Sequence, residues 1–264
     1  MFENRNYRSR SKREGLIPFT VTVKETDLHI QAESDLSGIA LRKVLELRGF
    51  VEEYIELHPE FKTSFVPLEP VIPVIPHLVT DMINAGKKAG VGPMAAIAGA
   101  IAEHTGRELM KYSSEVIVEN GGDIFFKSNS DTVFSIFAGK SPLSMKIGAR
   151  ISPRKLDLDS GRQNIDKENN DTQIENRAMA LCTSSGTVGH SISFGKADSA
   201  TVIAQSCALA DAAATALGNM VKQDSDIEKA IQAGQKIAGV EGIIIIKGKL
   251  LGAWGAIELV RVSP

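Results

Sequence analysis

Apolar positions recur along this chain with two periods, and the switches between them mark out its elements. Phe19, Val21 and Val23 alternate with polar residues, as do Leu28, Ile30 and Ala32, with residues 25–27 as the turn between them. A period of two predicts strands with one buried face, here a β-hairpin. A basic arm carrying Arg5, Arg8, Arg10, Lys12 and Arg13 precedes it. From residue 37 to 57 the spacing of Ile39, Leu41, Val44, Leu45 and Leu47 becomes three and four. That predicts an amphipathic helix with Asp35 or Ser37 near its N-cap and His58-Pro59 ending it. Pro70, Pro73 and Pro76 punctuate residues 68–76. Proline lacks a backbone donor and excludes helix, so this segment is expected to be an extended connector and a domain seam. Residues 1–70 would then form an N-terminal arm, hairpin and helix, and residues 71–264 the core, unless the whole chain is one continuous domain.

Helical spacing returns over residues 77–89 and again over residues 94–112, where Ala95, Ala96, Ala98, Gly99, Ala100 and Ala102 leave room for a close neighbour. Strands are predicted at 115–118 and 124–126 around a turn at Asn120, Gly121, Gly122 and Asp123, and a further strand at 133–138 is expected to pair with them. Residues 155–176 are almost wholly polar, which suits a mobile loop or lid. A loop at 183–190, a strand at 199–204, helices at 209–221 and 226–238, and closing strands at 242–246 and 250–262 with a break complete the reading. Hairpins outnumber βαβ crossovers, so the expected fold class is α+β, mainly antiparallel sheets packed with helices.

Composition narrows the function. The 264 residues are 43% apolar and 23% charged with a formal net charge of −2, which gives the whole chain no electrostatic reason to seek nucleic acid or anionic lipid. The longest run of small and apolar residues is too short to span a bilayer and contains a proline. No apolar segment follows the basic arm and no lipobox-like cysteine stands near the start, so no secretory signal and a cytoplasmic location are expected. Cys182 and Cys207 have no CxxC spacing and read as buried free thiols.

Asp211 and Thr215 are four residues apart in an Ala-rich helix and share one face. A carboxylate and a hydroxyl one turn apart are oxygen ligands of the kind Mg²⁺ takes, leaving room for phosphate oxygens. Otherwise Asp211 simply complements a helix N-terminus and Thr215 bonds back to a carbonyl. Thr183, Ser184, Ser185 and Gly186 offer hydroxyl and backbone donors able to wrap an anion, or only a turn. Gly121 and Gly122 supply the positive φ of a tight turn and would also let a flat ring or pyrophosphate approach the main chain. His190, beside the hydroxyl-rich loop, is the candidate catalytic histidine. A serine-hydrolase site would need a GxSxG elbow, and P-loop or dinucleotide folds need glycine patterns that the chain lacks.

Taken in order, Glu119-Asn120-Gly121-Gly122-Asp123-Ile124, then Thr183-Ser184-Ser185-Gly186 with His190 shortly after, then Ala210-Asp211-Ala212-Ala213-Ala214-Thr215-Ala216 resemble the ApbE family. Its members are Mg²⁺-dependent FAD:protein FMN transferases, formerly called thiamine-biosynthesis lipoproteins. The resemblance runs from about residue 94 to the C-terminus and implies that Asp211 and Thr215 ligate Mg²⁺. It implies further that Thr183, Ser184, Ser185 and Gly186 hold the FAD pyrophosphate and that Asn120, Gly121, Gly122 and Asp123 line the flavin nucleotide, FAD or FMN. The family's GGIAKG lysine is replaced by Gly99, and Ser193 stands at the aspartate of its HxxDPxTG motif. The chain therefore looks like a short cytosolic branch, with a small-molecule nucleotide as partner and a homodimer as one expected assembly. An FMN transferase, a non-catalytic nucleotide-binding protein and a coenzyme-metabolism enzyme with another substrate are the readings to separate.

Overall fold

The computed structural model describes residues 13–70, 75–152, 178–186, 195–255 and 257–262. The N-terminal alternation folds as a hairpin, β1 (Ile17–Val23) and β2 (Thr26–Ala32), followed by helix α1 (Ser37–Leu57) and a single turn α2 (Glu60–Thr63). Helix α3 (His77–Ala89), a 3-10 turn (Pro93–Ala96) and α4 (Ile97–Leu109) lead into β3 (Val116–Asn120), β4 (Asp123–Lys127), β5 (Thr132–Ser135) and β6 (Ile147–Ile151). Then come β7 (Met179–Ser184), β8 (Ser199–Ala204), α5 (Cys207–Met220), α6 (Asp226–Gly234), β9 (Val240–Lys247), β10 (Leu250–Gly255) and β11 (Glu258–Arg261). The fold is α+β. One eight-stranded sheet has the order β1-β2-β3-β4-β7-β8-β9-β10, and a second, three-stranded sheet the order β11-β6-β5. Every pairing is antiparallel.

The large sheet is buried on both faces, which sorts its residues by parity. Val118, Phe125, Ala180, Cys182, Val202 and Ile243 face the helices and pack with residues of α1, α4, α5 and α6. Ile117, Phe126, Met179, Leu181, Ile203 and Ile244 face the small sheet and meet Phe134, Ala149 and Ile151. A third cluster lies among the helices themselves, joining Leu47, Phe61, Met82, Ala100, Ala208 and Ala212. At roughly 25 cal/mol per Å² of apolar surface removed from water, these two interfaces of the large sheet are the main stabilising term.

Three sequence expectations change. The strand expected at 133–138 does not pair with β3 and β4: it ends at Ser135 and pairs with β6, Phe134 opposite Ala149. Burial explains it, because Phe134 packs across the layers on Phe126 with ring centroids 4.7 Å apart. The helix expected over 94–112 opens instead as a 3-10 turn and becomes α-helical at Ile97. Strand β7 carried no periodic signal, since Met179, Ala180, Leu181 and Cys182 are buried on both faces and read as an unpatterned apolar run. The polar stretch 155–176, the end of the 183–190 loop and His190 lie outside the described residues. Among the described residues no helix is long and apolar enough to cross a membrane.

Candidate carboxylate site between the sheet and two helices

The Asn120-Gly121-Gly122-Asp123 segment is a two-residue hairpin turn with Asn120 paired to Asp123. Gly121 and Gly122 have φ of 70° and 115°, the positive values a tight hairpin turn demands. Asn120 and Asp123 are therefore strand residues, and parity turns both side chains toward the helices. Asn120 Nδ2 donates to the Ala98 carbonyl at 3.0 Å, fixing the start of α4. Asp123 is buried beside its strand neighbour Cys182 and accepts hydrogen bonds from the Cys182 thiol and the Thr183 N–H. Its Oδ1 is buried with no hydrogen-bond partner among the described residues.

Asp211 reaches the same space from α5. Its Oδ2 accepts the Gly99 N–H at 2.9 Å, and the Ala98 N–H also bonds this carboxylate. These donors belong to the first turn of α4, where no intrahelical acceptor exists. The helix N-terminus that Asp211 complements is thus α4's, not its own. The favour is returned by Glu103 of α4, whose Oε2 accepts the Cys207 N–H at 2.7 Å and lies 3.3 Å from Ser206 Oγ at the start of α5. The two helices touch at Gly99, where an added Cβ would lie 2.3 Å from the Cys207 carbonyl oxygen and 2.8 Å from Asp211 Cβ.

Burial dominates the electrostatics. It pushes the Asp211 carboxyl well above the usual range, the neighbouring Asp123 charge adds to this, and the Gly99 and Ala98 hydrogen bonds pull back only in part. Burial likewise pushes Asp123 up to about 7 against its hydrogen bonds from Cys182 and Thr183, and the Glu119 charge pushes the same way. Two buried carboxylates within each other's field cannot both hold a charge without a compensating proton or cation.

The other candidate residues divide by face. Thr183 and Ser184 are in β7 rather than in a loop, paired to Thr201 and Ala200. The Thr183 hydroxyl is 2.9 Å from that of Thr201, which is itself 3.1 Å from Ser199 Oγ, a hydroxyl row on the face away from Asp211. Ser184 faces α5, where a Cβ added to Gly218 would lie 3.8 Å from its Oγ. Ser185 is half-buried. Gly186 donates its N–H to the Ala197 carbonyl at 2.9 Å, and a Cβ there would lie 2.3 Å from the Gly195 carbonyl oxygen. Thr215 is half-buried, one turn along α5 from Asp211. An open groove lined by Asn219, Met220, Lys222, Gln223 and Asp226 lies farther on, at the end of α5 away from the carboxylates. Sequence reasoning missed the pairing of Asp123 with Asp211 and the place of Glu103 beside it; it read Cys182 and Cys207 as buried free thiols, which they are, but not as neighbours of the carboxylates. Only the fold brings these together, and no local spacing announces it. Among the described residues no group of three or more His, Cys, Asp or Glu side chains could hold a metal ion.

A family model described as AbpE bacteria matches residues 8–258. The chain belongs to this ApbE-like family. A UPF0280 protein of Methanococcus aeolicus is 36% identical over 241 residues, covering 90% of this chain and 89% of the relative. The solved ApbE protein of Thermotoga maritima superposes with a TM-score of 0.52 at 12% identity, covering 90% of this chain and 96% of that one. The flavinyl transferase ApbE of Pseudomonas stutzeri, in its apo form, gives 0.49 at 11% identity, with 90% and 94% covered. Identities this low establish likeness of fold alone. The described parts of the motifs read from the sequence fall on the β3–β4 hairpin, the end of β7 and α5.

Proposed function

We propose that this ApbE-like protein binds a flavin nucleotide, FAD or FMN, with Mg²⁺ at the Asp123–Asp211 pair, and that FMN transfer is the activity to test there. The observation that carries the reading is the unpartnered, buried Asp123 Oδ1 beside a second buried carboxylate. Donors that are all oxygen suit a hard cation, and Mg²⁺ is commonly bound by one or two carboxylates completed by substrate phosphates, so two carboxylates suffice. Thr215 is the hydroxyl ligand in this reading. When bound, Mg²⁺ would neutralise pyrophosphate charge and polarise it toward attack by a hydroxyl, with AMP as leaving group.

The chain's own residues supply position. Asp211 is oriented by the Ala98 and Gly99 N–H groups, the Gly99 N–H bonding its Oδ2, so the carboxylate is held in place at the start of α4. The proton that the carboxylate pair retains near neutrality is released when a cation takes its place. Ser184, Ser185 and Gly186 are the anion-holding residues, with Ser184 on the same face of β7 as Cys182, and Gly121 and Gly122 leave the main chain open to a flat ring. His190 is the proposed proton carrier. The reading further assigns a cytoplasmic location, a small-molecule partner and no nucleic-acid partner, and light scattering would decide between a monomer and a homodimer.

Binding without transfer is the second reading, and Gly99 favours it. The family's lysine is absent there, and the 2.3 Å approach of Cys207 leaves no space for any side chain. The test is mass spectrometry of the native purified protein for a co-purifying small molecule, followed by FAD titration with and without Mg²⁺ and an assay for AMP release on a hydroxyl-bearing acceptor. Mg²⁺-dependent flavin affinity supports the site, and AMP release decides transfer. A co-purifying molecule that is not a flavin would establish a different coenzyme substrate. No Mg²⁺-dependent affinity for either flavin nucleotide would overturn the proposal.

A further inference from the structure

We propose that Cys182 and Cys207 form a redox modification site, a thiol pair that closes to a disulfide and ties β7 to the first residue of α5. They are the two cysteines of the chain, both fully buried. Cys182 lies on the helix-facing side of its strand, and Cys207 opens the helix packed there. Their sulfurs are 3.4 Å apart, and Cys182 Sγ is 3.5 Å from the Cys207 carbonyl oxygen. A disulfide needs an S–S distance of roughly 2.05 Å, so the gap to close is about 1.4 Å, within reach of small side-chain rotations. Neither this contact nor the proposal depends on what the carboxylates bind.

The oxidant is a hydroperoxide, hydrogen peroxide in the simplest case. One thiol gives up its proton and attacks the O–O bond; an S–O bond forms, the O–O bond breaks and water leaves. The second sulfur then displaces the oxygen of the sulfenic acid, forming the S–S bond and releasing a second water. Two thiols and one peroxide thus give one disulfide and two waters. The proton given up by the first thiol goes to the departing peroxide oxygen, which leaves as water. Burial pushes the Cys207 thiol up to about 11 and Cys182 well above its ordinary value, so the reaction is slow and requires excess peroxide. Slowness does not remove the stabilisation. The bond would close a loop between residues 25 apart and constrain the unfolded chain.

The experiment uses the full chain. Native protein is incubated with excess hydrogen peroxide, quenched, denatured, alkylated with iodoacetamide and weighed intact. The expected result is no alkylation and a cysteine contribution about 2 Da lighter, reversed by dithiothreitol to two alkyl groups. The oxidised protein should also melt roughly 5 °C higher, a gain lost in Cys207→Ser. Two alkyl groups surviving peroxide that has already oxidised the methionines would overturn the proposal. So would oxygen adducts on the cysteines, an intermolecular link, or a melting temperature lowered by the bond.

Discussion

Replacing Asp123 by Asn keeps the shape of a buried carboxylate and removes its charge, and the metal-free protein should become more stable at alkaline pH. Folding raises this carboxyl to about 7, chiefly through burial. A group raised in this way stabilises the fold while protonated. Its contribution is complete below its unfolded value near pH 4 and is lost as pH climbs through about 7. Between pH 4 and pH 8 the swing amounts to about 4 kcal/mol. Asn retains an acceptor for the Thr183 N–H and stands in for the neutral carboxyl, and the charge-assisted part of that bond is already contained in the value of about 7. The gain is therefore about 4 kcal/mol at pH 8, or a rise of roughly 8 °C in melting temperature, falling toward zero at pH 4. Calorimetric melting of both proteins at the two pH values, in EDTA, measures it. The same scans with excess Mg²⁺ test the ligand role, because wild type should gain about 2.7 kcal/mol at a hundredfold excess over its dissociation constant and the variant should not. Equal shifts at both pH values would refute burial of charge as the cause, and an undiminished Mg²⁺ effect would remove Asp123 from the metal site.

Asp211→Asn should abolish the Mg²⁺-dependent rise in melting temperature while circular dichroism stays native, since the amide oxygen can still accept the Gly99 N–H; a retained rise would show the metal to lie elsewhere. Gly99→Ala forces a Cβ to within 2.3 Å of the Cys207 carbonyl oxygen and should cost about 1–3 kcal/mol in denaturant melts, with weaker Mg²⁺ binding; an unchanged midpoint would contradict the close packing. Gly99→Lys, which writes back the family's lysine, should for the same reason destabilise further rather than create transferase activity, and rapid AMP release by that variant would refute the steric argument. For the wild type, flavin titration should give a signal where AMP release and FMN transfer to a standard acceptor do not; rapid Mg²⁺-dependent transfer would restore the plain transferase reading.

What was legible in the sequence was whatever a local period or a local turn dictates. The β1–β2 hairpin, α1 and α3 each repeat apolar residues at a period that their own burial explains, and Gly121-Gly122 announces its turn through backbone freedom. The strand at β7 escaped because burial on both faces erases alternation, and β5 was sent to the wrong sheet because pairing partners leave no trace in spacing. The candidate site followed the same rule. Asp211 and Thr215 are one helical turn apart and could be seen together, whereas Asp123 joins them only through the register of β4 on β7 and the crossing of α5 above it. Which helix start Asp211 complements was hidden for a related reason: the free N–H groups it serves are at the start of α4, far away along the chain.

The reciprocal carboxylate caps of α4 and α5 also bear on the order in which the protein can assemble. Gly99 meets Asp211 across 112 residues, and Cys207 meets Glu103 across 104. Contacts of such separation carry a loop-closure cost that must be met before they reward the chain, and folds rich in them form slowly. While α5 is still unsynthesised, α4 has no partner for its first-turn N–H groups and Glu103 has nothing to cap. The carboxylate centre therefore belongs to the last stage of folding on the ribosome, after β1 to β4 have had time to pair. Substitutions at Glu103 or Asp211 should accordingly speed unfolding more than they slow folding, whatever they do to ligand binding.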